Sequence, residues 1–396
     1  MEHSETSVPA SSSAIACSDA ETLRTLIVDA LKKQGFELRG NQLCLPENLD
    51  KGKIRFLHAE AARHKTEKRK KGLRRYESSL LERFAFGSEV VPEKIEPVLV
   101  EVLPKSTDEL LFRYASLHWS IPVSSGYGRR LRFLVLDQNT EKLIGIFGLG
   151  DPVFGLKDRD NWVGWNKEGR RERLHHVVDS YVLGAVPPYS FLLGGKLIAL
   201  LTVSNEVRKA FRRKYAGNSS IIQGRKLSGH VALITTTSAL GRSSLYNRLR
   251  FNERLVFERV GHTQGFGEFH FSNGLYDSIV DFAKSRATAT AKHELWGSGF
   301  RNKREVVRKT LAELGIPMSW NNHGIRREIY VSPLAKNTRD FLNGTESHLD
   351  FYDQSADSLF EWFRSRWLIP RSKTNQTYRD WIPENWSLWK EGQIDG

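Results

Sequence analysis

The sequence predicts an α+β fold: a mixed β-sheet flanked by helices, with a basic helical region before it and a helix/strand extension after it. Three observations predict this. From residue 129 to residue 270 strand-like and helix-like segments alternate, opening with Gly126-Tyr-Gly-Arg-Arg-Leu-Arg-Phe-Leu-Val-Leu-Asp137 and closing with Gly261-His-Thr-Gln-Gly-Phe-Gly-Glu-Phe-His270. Ahead of that stretch, residues 63–75 hold eight Lys or Arg against one Glu. Behind it, residues 302–342 read as helix, strand, helix, and Trp362, Trp367, Trp381, Trp386 and Trp389 follow. The divisions expected are a disordered tail at 1–18, a basic helical region at 19–98, the core at 99–285 and the extension at 286–396.

At 396 residues and 39% hydrophobic, the chain is long enough for two or three domains with at least one substantial core. No apolar run approaches the ~20 residues that span a bilayer, so no membrane partner is expected. The start, Met1-Glu-His-Ser-Glu-Thr6, shows no signal-peptide pattern. Cys17 and Cys44, the two cysteines, make neither a disulfide framework nor a zinc site, which suits a reducing cytoplasm. The net charge of +14, from 60 Lys and Arg against 46 Asp and Glu, favours a polyanionic partner. A well-solvated basic surface gives the same balance.

Residues 1–18 are rich in Ser and Ala without apolar period. From Asp19 a helix is expected, with Leu23, Leu26, Ile27, Ala30 and Leu31 at helical spacing and Gly35 as its stop. A second helix starts near Lys53 and passes His58, Ala61 and Ala62 into the charge block. There Arg63, Lys65, Lys68, Arg69, Lys70, Lys71, Arg74 and Arg75 surround much of the cylinder. We read the block as a phosphate-contacting arm, against the alternative of a solvated helical connector. Apolar period resumes through Leu80, Leu81, Phe84 and Phe86, and residues 90–97 read as an extended joint because each proline biases its predecessor away from helix.

In the core, residues 107–120 suit a helix with Thr107 as N-cap and Asp108 and Glu109 at the positive end of its dipole. Residues 130–137 and 142–150 are strands of a hairpin. Residues 181–186 form a short strand stopped by Pro187 and Pro188, and the sheet should open beside it because prolines cannot donate ladder hydrogen bonds. Residues 196–215 read as one helix. Its apolar face is Leu197, Leu200, Leu201, Val207, Ala210 and Phe211, and Arg208, Lys209, Arg212, Arg213 and Lys214 crowd its C-terminal end. A strand at 230–236, a short helix at 243–249 and strands at 255–262 and 268–271 complete the pattern. This order resembles a GNAT-like fold, in which a splayed pair of central strands receives the pantetheine arm of acyl-coenzyme A.

Longer runs carry a more specific resemblance: Leu117-His-Trp-Ser-Ile-Pro-Val-Ser-Ser-Gly-Tyr-Gly-Arg-Arg130, Gly150-Asp-Pro-Val-Phe154, Trp162-Val-Gly-Trp165, Arg173-Leu-His-His-Val-Val-Asp179, Tyr181-Val-Leu-Gly-Ala-Val-Pro-Pro-Tyr189 and Thr235-Thr-Thr-Ser-Ala-Leu-Gly-Arg-Ser-Ser-Leu-Tyr-Asn-Arg-Leu249. Over roughly residues 20 to 275 the chain resembles the DruA family, components of the Druantia anti-phage defence systems of bacteria, similar to domains found with transposases. The resemblance implies a cytoplasmic role in antiviral defence beside other subunits, including a helicase-like protein. It leaves the reaction, if any, open.

Several residues carry possible chemistry. An acyl-coenzyme A loop would align with Gly194, Gly195 and Lys196, but Phe191 replaces the expected Arg or Gln and Lys196 stands where a small residue is needed. A tight strand-to-helix turn explains the glycines equally, so acyl-coenzyme A is disfavoured and no cofactor is expected. Tyr246 takes the place of a thiolate-reprotonating tyrosine, or of an ordinary core residue. His175 and Asp179, with His176 between, would share a helical face at i and i+4. With Asp158 and Asp160 they suggest a base or metal ligands, or else an ion-pair and capping network with Arg159, Arg170, Arg171 and Arg173; no metal is expected. Glu268 and His270 would alternate on one strand face and line a cleft. Trp162 and Trp165, interleaved with Arg159, Lys167 and Arg170, would stack on bases or close as a lid. The helix, strand and helix at 302–342 suggest a winged-helix-like module, and the Trp-rich tail packs on the body or docks on a partner.

The sequence thus favours a defence component engaging nucleic acid, most simply DNA, through the arm at 63–75, through Arg208, Lys209, Arg212 and Arg213, and through Trp162 and Trp165. The alternatives are a GNAT-derived transferase that modifies nucleic acid or protein, and a non-catalytic scaffold for other defence subunits.

Overall fold

The computed structural model describes residues 19–124, 128–219, 224, 226–290 and 299–389; the tail expected at 1–18 lies outside the described residues. The chain divides into two units, Met1–His64 with Gly265–Ile325 and Lys65–Gln264 with Arg326–Gly396.

In the first unit, α1 (Ala20–Lys33) starts at Asp19, whose carboxylate accepts from the Glu21 and Thr22 amides, and buries Leu23, Ile27 and Leu31. Its chain reversal uses Gly35 at φ +96°, a conformation open to glycine. A hairpin of β1 (Glu37–Arg39) and β2 (Gln42–Cys44) follows. The long α2 (Lys51–Leu73) contributes its first half to this unit and its second half to the other.

In the second unit α2 leads through α3 (Glu77–Leu81) to β3 (Pro97–Glu101). The joint at 90–97 is only partly extended, since short 3-10 turns occupy 87–89 and 92–94. Pro97 opens an edge strand, a position where its missing N–H costs no ladder bond. Next is α4 (Thr107–Leu117), capped by Ser106, not Thr107: the Ser106 hydroxyl accepts from the Glu109 amide at 3.2 Å. The hairpin of β4 (Arg130–Asp137) and β5 (Lys142–Gly150) forms where the alternation places it. After α5 (Lys157–Val163) and α6 (Lys167–Arg173) comes β6 (Val177–Ala185), four residues earlier than the sequence suggests.

The helix expected at 196–215 is two, α7 (Gly194–Leu201) and α8 (Asn205–Tyr215). The break is a local competition: Ser204 caps a new helix by accepting from the Val207 amide, as N-cap serines do. Beyond β7 (Leu233–Thr237), residues 243–249 form turns rather than a helix. The small pair β8 (Arg250–Phe251) and β9 (Arg254–Leu255) precedes β10 (Glu258–His262). The strand expected at 268–271 is instead a 3-10 turn at Phe269–Phe271, and it belongs to the first unit with α9 (Tyr276–Arg286) and α10 (Lys303–Glu313). The chain then returns to the second unit for β11 (Glu328–Pro333), α11 (Thr338–Asn343), α12 (Ala356–Phe363) and α13 (Ile369–Thr374). The helix, strand and helix of 302–342 are therefore divided, with α10 in the first unit and β11 and α11 in the second.

The sheet runs β10-β11-β7-β6-β5-β4-β3, antiparallel throughout except for the parallel pair β6–β7. That pair keeps register for three residues, from Val177 opposite Leu233 to Asp179 opposite Thr235. Beyond it β6 continues along β5 alone, to Ala185 opposite Gly145. Tyr181 is the extra residue of a bulge between Ser180 and Val182, and a bulge bends its strand. The opening therefore begins within the strand. Pro187 and Pro188 come after it ends.

Both sheet faces are covered, so β4 alternates between two apolar clusters. Leu131, Phe133 and Val135 pack with α7, α8 and α12. Leu134 and Leu136 pack with α4 and Trp389. The C-terminal tryptophans are part of this body: Trp386 stacks on His118 at 3.9 Å and the Trp362 indole N–H donates to the Arg250 carbonyl at 2.7 Å. No helix among the described residues is long and apolar enough to cross a membrane.

Candidate functional site

The second half of α2 is held by its own backbone and by helix-favouring Lys, Arg, Glu and Ala, because no side chain from 62 to 72 is buried. Ile54, Leu57, His58 and Ala61 are buried before this stretch and Leu73 after it. Arg63 lies 3.0 Å from Glu60 and Lys70 3.4 Å from Glu67. Lys65 donates to the Val123 carbonyl, and Arg75 lies over the Tyr76 ring at 4.7 Å. Lys68, Arg69, Lys71 and Arg74 are exposed. With one Glu among eight cations from 63 to 75, the stretch keeps a strong positive charge.

The second basic group divides differently. Arg208 is committed to structure, donating to the Tyr352 carbonyl at 3.1 Å and lying 4.1 Å from the centre of the Phe351 ring. Burial pushes its guanidinium pKa down. Arg213 and the neighbouring Lys214 both pair with Glu101, at 2.7 and 3.0 Å. Lys209 and Arg212 remain exposed.

Trp162 and Trp165 both pack against one apolar cluster. The Trp165 indole N–H donates to the Leu342 carbonyl at 2.7 Å, and the side chain packs in an apolar cluster with Val163, Phe341 and Leu342. Trp162 also borders an open pocket of about 400 Å³ with Lys336, Arg339, Asp340 and Tyr352. The Arg339 guanidinium lies over the Trp162 ring at 5.4 Å. Sequence reasoning missed the other pocket residues: α5 and α11 are far apart in the chain, and a lone exposed Arg or Lys carries no local signal.

The glycine turn serves packing. A Cβ on Gly194 would stand 2.7 Å from the Tyr189 carbonyl oxygen and 2.9 Å from the Ala185 Cβ, whereas Gly195 has only Leu245 nearby. Leu193, at φ +62°, starts the helix in the left-handed conformation. Lys196 is half-buried with its ammonium 5.2 Å from the Trp367 ring centre, and burial, then Arg366, lowers its pKa. Arg371 donates to the Phe191 carbonyl at 3.1 Å. The segment after α12 thus occupies the neighbourhood of this turn.

The five catalytic candidates are divided between the two units. Glu268 and His270 belong to the first unit; His175, Asp179 and Tyr246 belong to the second. His175 sits in a 3-10 turn before β6 and Asp179 on the strand itself, so they share no helical face. Asp179 accepts from the Thr235 hydroxyl at 2.8 Å, and burial, against that bond and Arg159, raises its pKa to about 6. Tyr246 lies in the turn after β7, and burial raises its pKa. Burial likewise raises the pKa of Glu268, which has Arg304 3.9 Å away. His270 is bonded to the Trp320 carbonyl at 2.8 Å, and burial drops its pKa to about 3.

The other carboxylates are structural. Fully buried Arg159 binds Asp160 at 2.6 Å and donates to the Val153 and Phe154 carbonyls, each at 2.9 Å. Asp160 also takes Arg170 at 2.7 Å, and Asp158 accepts the His262 amide at 2.8 Å. Among the described residues no three His, Cys, Asp or Glu side chains converge in a metal-binding arrangement.

Comparison with known proteins gives the lineage. The family model described as Druantia protein DruA matches residues 48–344. A curated Druantia protein DruA from Escherichia coli (strain UMEA 4076-1) is 38% identical over 360 residues, covering 91% of this chain and 89% of the relative. No solved structure matches. The match takes in the second half of α2, the whole sheet and the inserted first-unit helices α9 and α10. The chain belongs to the DruA family and is a Druantia anti-phage defence component.

Proposed function

We propose that the chain serves defence by engaging nucleic acid, with DNA as its partner, through the second half of α2. One observation carries this reading: from Ala62 to Gly72 no side chain is buried, yet the helix persists while crowding cations together. Such a charge cluster is self-repulsive, and phosphates relieve the repulsion while releasing their condensed counterions. Lys209 and Arg212 on α8 are exposed as well. A cytoplasmic setting and a helicase-like subunit beside the chain are part of the same reading.

The test replaces Arg69, Lys71 and Arg74 with Ser, exposed residues whose loss leaves the cores intact. Duplex DNA affinity should fall at least tenfold near physiological salt. Equal affinity for the variant and the wild type would refute the arm as the contact.

A second reading has specific support. The parallel strands β6 and β7 part after three residue pairs, as a GNAT-like sheet does, and Asp179, with its pKa near 6, sits where they part. A group poised near neutrality suits a general base, which keeps a transferase as the alternative. The neighbourhood of Lys196 and Trp367 weighs against acyl-coenzyme A at the glycine turn.

A further inference from the structure

We propose that the pocket beside Trp162 holds one unpaired nucleotide, its base on the indole and its phosphate on Lys336 and Arg339. This deepens the nucleic-acid reading, and rests on it for the source of the nucleotide.

The pocket is built from distant parts of the chain. Trp162 comes from α5, Lys336 from the loop after β11, Arg339 and Asp340 from α11, and Tyr352 from the segment that runs back toward α12. Its volume of about 400 Å³ falls in the range of small-ligand sites, ~300–1,000 Å³. An aromatic face, two cations and a carboxylate are the groups that a nucleotide requires.

The resting contacts are ones that a nucleotide can replace. Arg339 is exposed, and its guanidinium lies 5.4 Å from the centre of the Trp162 ring. An exposed cation–π contact is the weaker of the two ways to cover an indole, and base stacking is the stronger. A base therefore takes the place of the guanidinium, which swings out to a phosphate oxygen. Lys336 pairs with Asp350 at 3.1 Å, but both side chains are mostly exposed, so screening leaves that pair weak and exchangeable. Asp340 can accept from an amino or imino N–H on the base edge.

A paired base does not fit this scheme. In a duplex both faces of a base are covered by its neighbours, so only a single strand, an extruded base or a free nucleotide offers a face to Trp162. The arm on α2 meets phosphates without regard to strandedness. The pocket is thus the element that distinguishes unpaired from paired DNA.

The experiment measures binding of the full chain to a labelled 12-nucleotide single strand, to the corresponding duplex and to ATP. Wild type is compared with Arg339→Ser, Trp162→Ala and Trp162→Phe. Arg339→Ser and Trp162→Ala should weaken single-strand binding about tenfold, with duplex binding unchanged and Trp162→Phe retaining most of the affinity. ATP that competes with the single strand identifies free nucleotide as an occupant; ATP that neither binds nor competes identifies the strand as the source. Unchanged single-strand and ATP binding in Arg339→Ser and Trp162→Ala overturns the pocket. So does a wild type that binds duplex but neither single strand nor ATP, and in that outcome the arm stands. ATP binding lost in Arg339→Ser, with no DNA binding of any kind, removes the arm and leaves the pocket.

Discussion

Glu77 joins segments more than 300 residues apart. Only 7% exposed, its carboxylate accepts from the Tyr114 hydroxyl at 2.7 Å and from the Leu388 amide at 2.6 Å. The Tyr114 hydroxyl also reaches the Trp386 carbonyl at 2.7 Å. Glu77→Ala leaves the Leu388 amide without its acceptor, while the Tyr114 hydroxyl keeps the Trp386 carbonyl, at a cost of about 1–3 kcal/mol. We expect a lower urea midpoint with loss of the Trp386–His118 stacking signal in near-ultraviolet circular dichroism. An unchanged midpoint would show that the tail is not fastened there. Three histidines set a pH dependence: partial burial lowers the pKa of His118 to about 4, and full burial lowers those of His176 and His270 to about 3. The folded values lie below the unfolded 6.5, so the unfolded chain binds more protons between them. Their stabilisation is complete above about pH 6.5 and is lost as pH falls toward 3–4, by roughly 2 kcal/mol per histidine at pH 5. Urea midpoints at pH 7.5 and pH 5 check this, and equal midpoints would contradict it.

At the scale of elements, strong local patterns were legible and contests between local signals were not. The β4–β5 hairpin could be read because apolar runs flank a polar turn. The break between α7 and α8 could not, since Leu197 to Phe211 keep one helical face and hide the cap at Ser204. The His-His-Val-Val-Asp run reads as helix until β7 supplies a parallel partner for Val177, Val178 and Asp179. The charge of the arm was evident, but the pairing of Arg213 with Glu101 and the burial of Arg208 were not, because their partners lie about 110 and 140 residues away. The same distance hid the Trp162 pocket. The docking of the C-terminal segment depends on Gly87, whose amide donates to the Trp381 carbonyl at 2.8 Å and whose missing Cβ leaves room for the Tyr378 carbonyl. Gly87→Ala forces backbone against backbone, and we expect a loss of about 3 kcal/mol. A midpoint within experimental error of the wild type would refute that packing.

Across the whole molecule, the two units differ in what they take from the chain. The first gathers residues 19–64 and 265–325, so its helices meet only after the second unit's sheet has been interrupted between β10 and β11. The second joins β10 to β7 through β11, drawn from beyond that insertion, and completes its cores with Phe360, Phe363, Tyr378 and Trp389. The Trp-rich tail therefore packs on the body of the second unit. Removing residues 356–396 should yield insoluble or molten protein rather than a folded body lacking one contact, as solubility and amide exchange would reveal.

Whether the exposed cations of α2 read phosphates shows in the salt dependence of DNA binding. Each phosphate contact contributes about −0.9 to the slope of log K against log salt on B-form DNA. Changing Arg69, Lys71 and Arg74 to Ser should therefore make the slope shallower by up to about 3, with the far-ultraviolet circular dichroism unchanged. A variant that binds more weakly at one salt concentration but keeps the wild-type slope, or a wild type that shows no salt-dependent binding, would rule out phosphate contacts by α2.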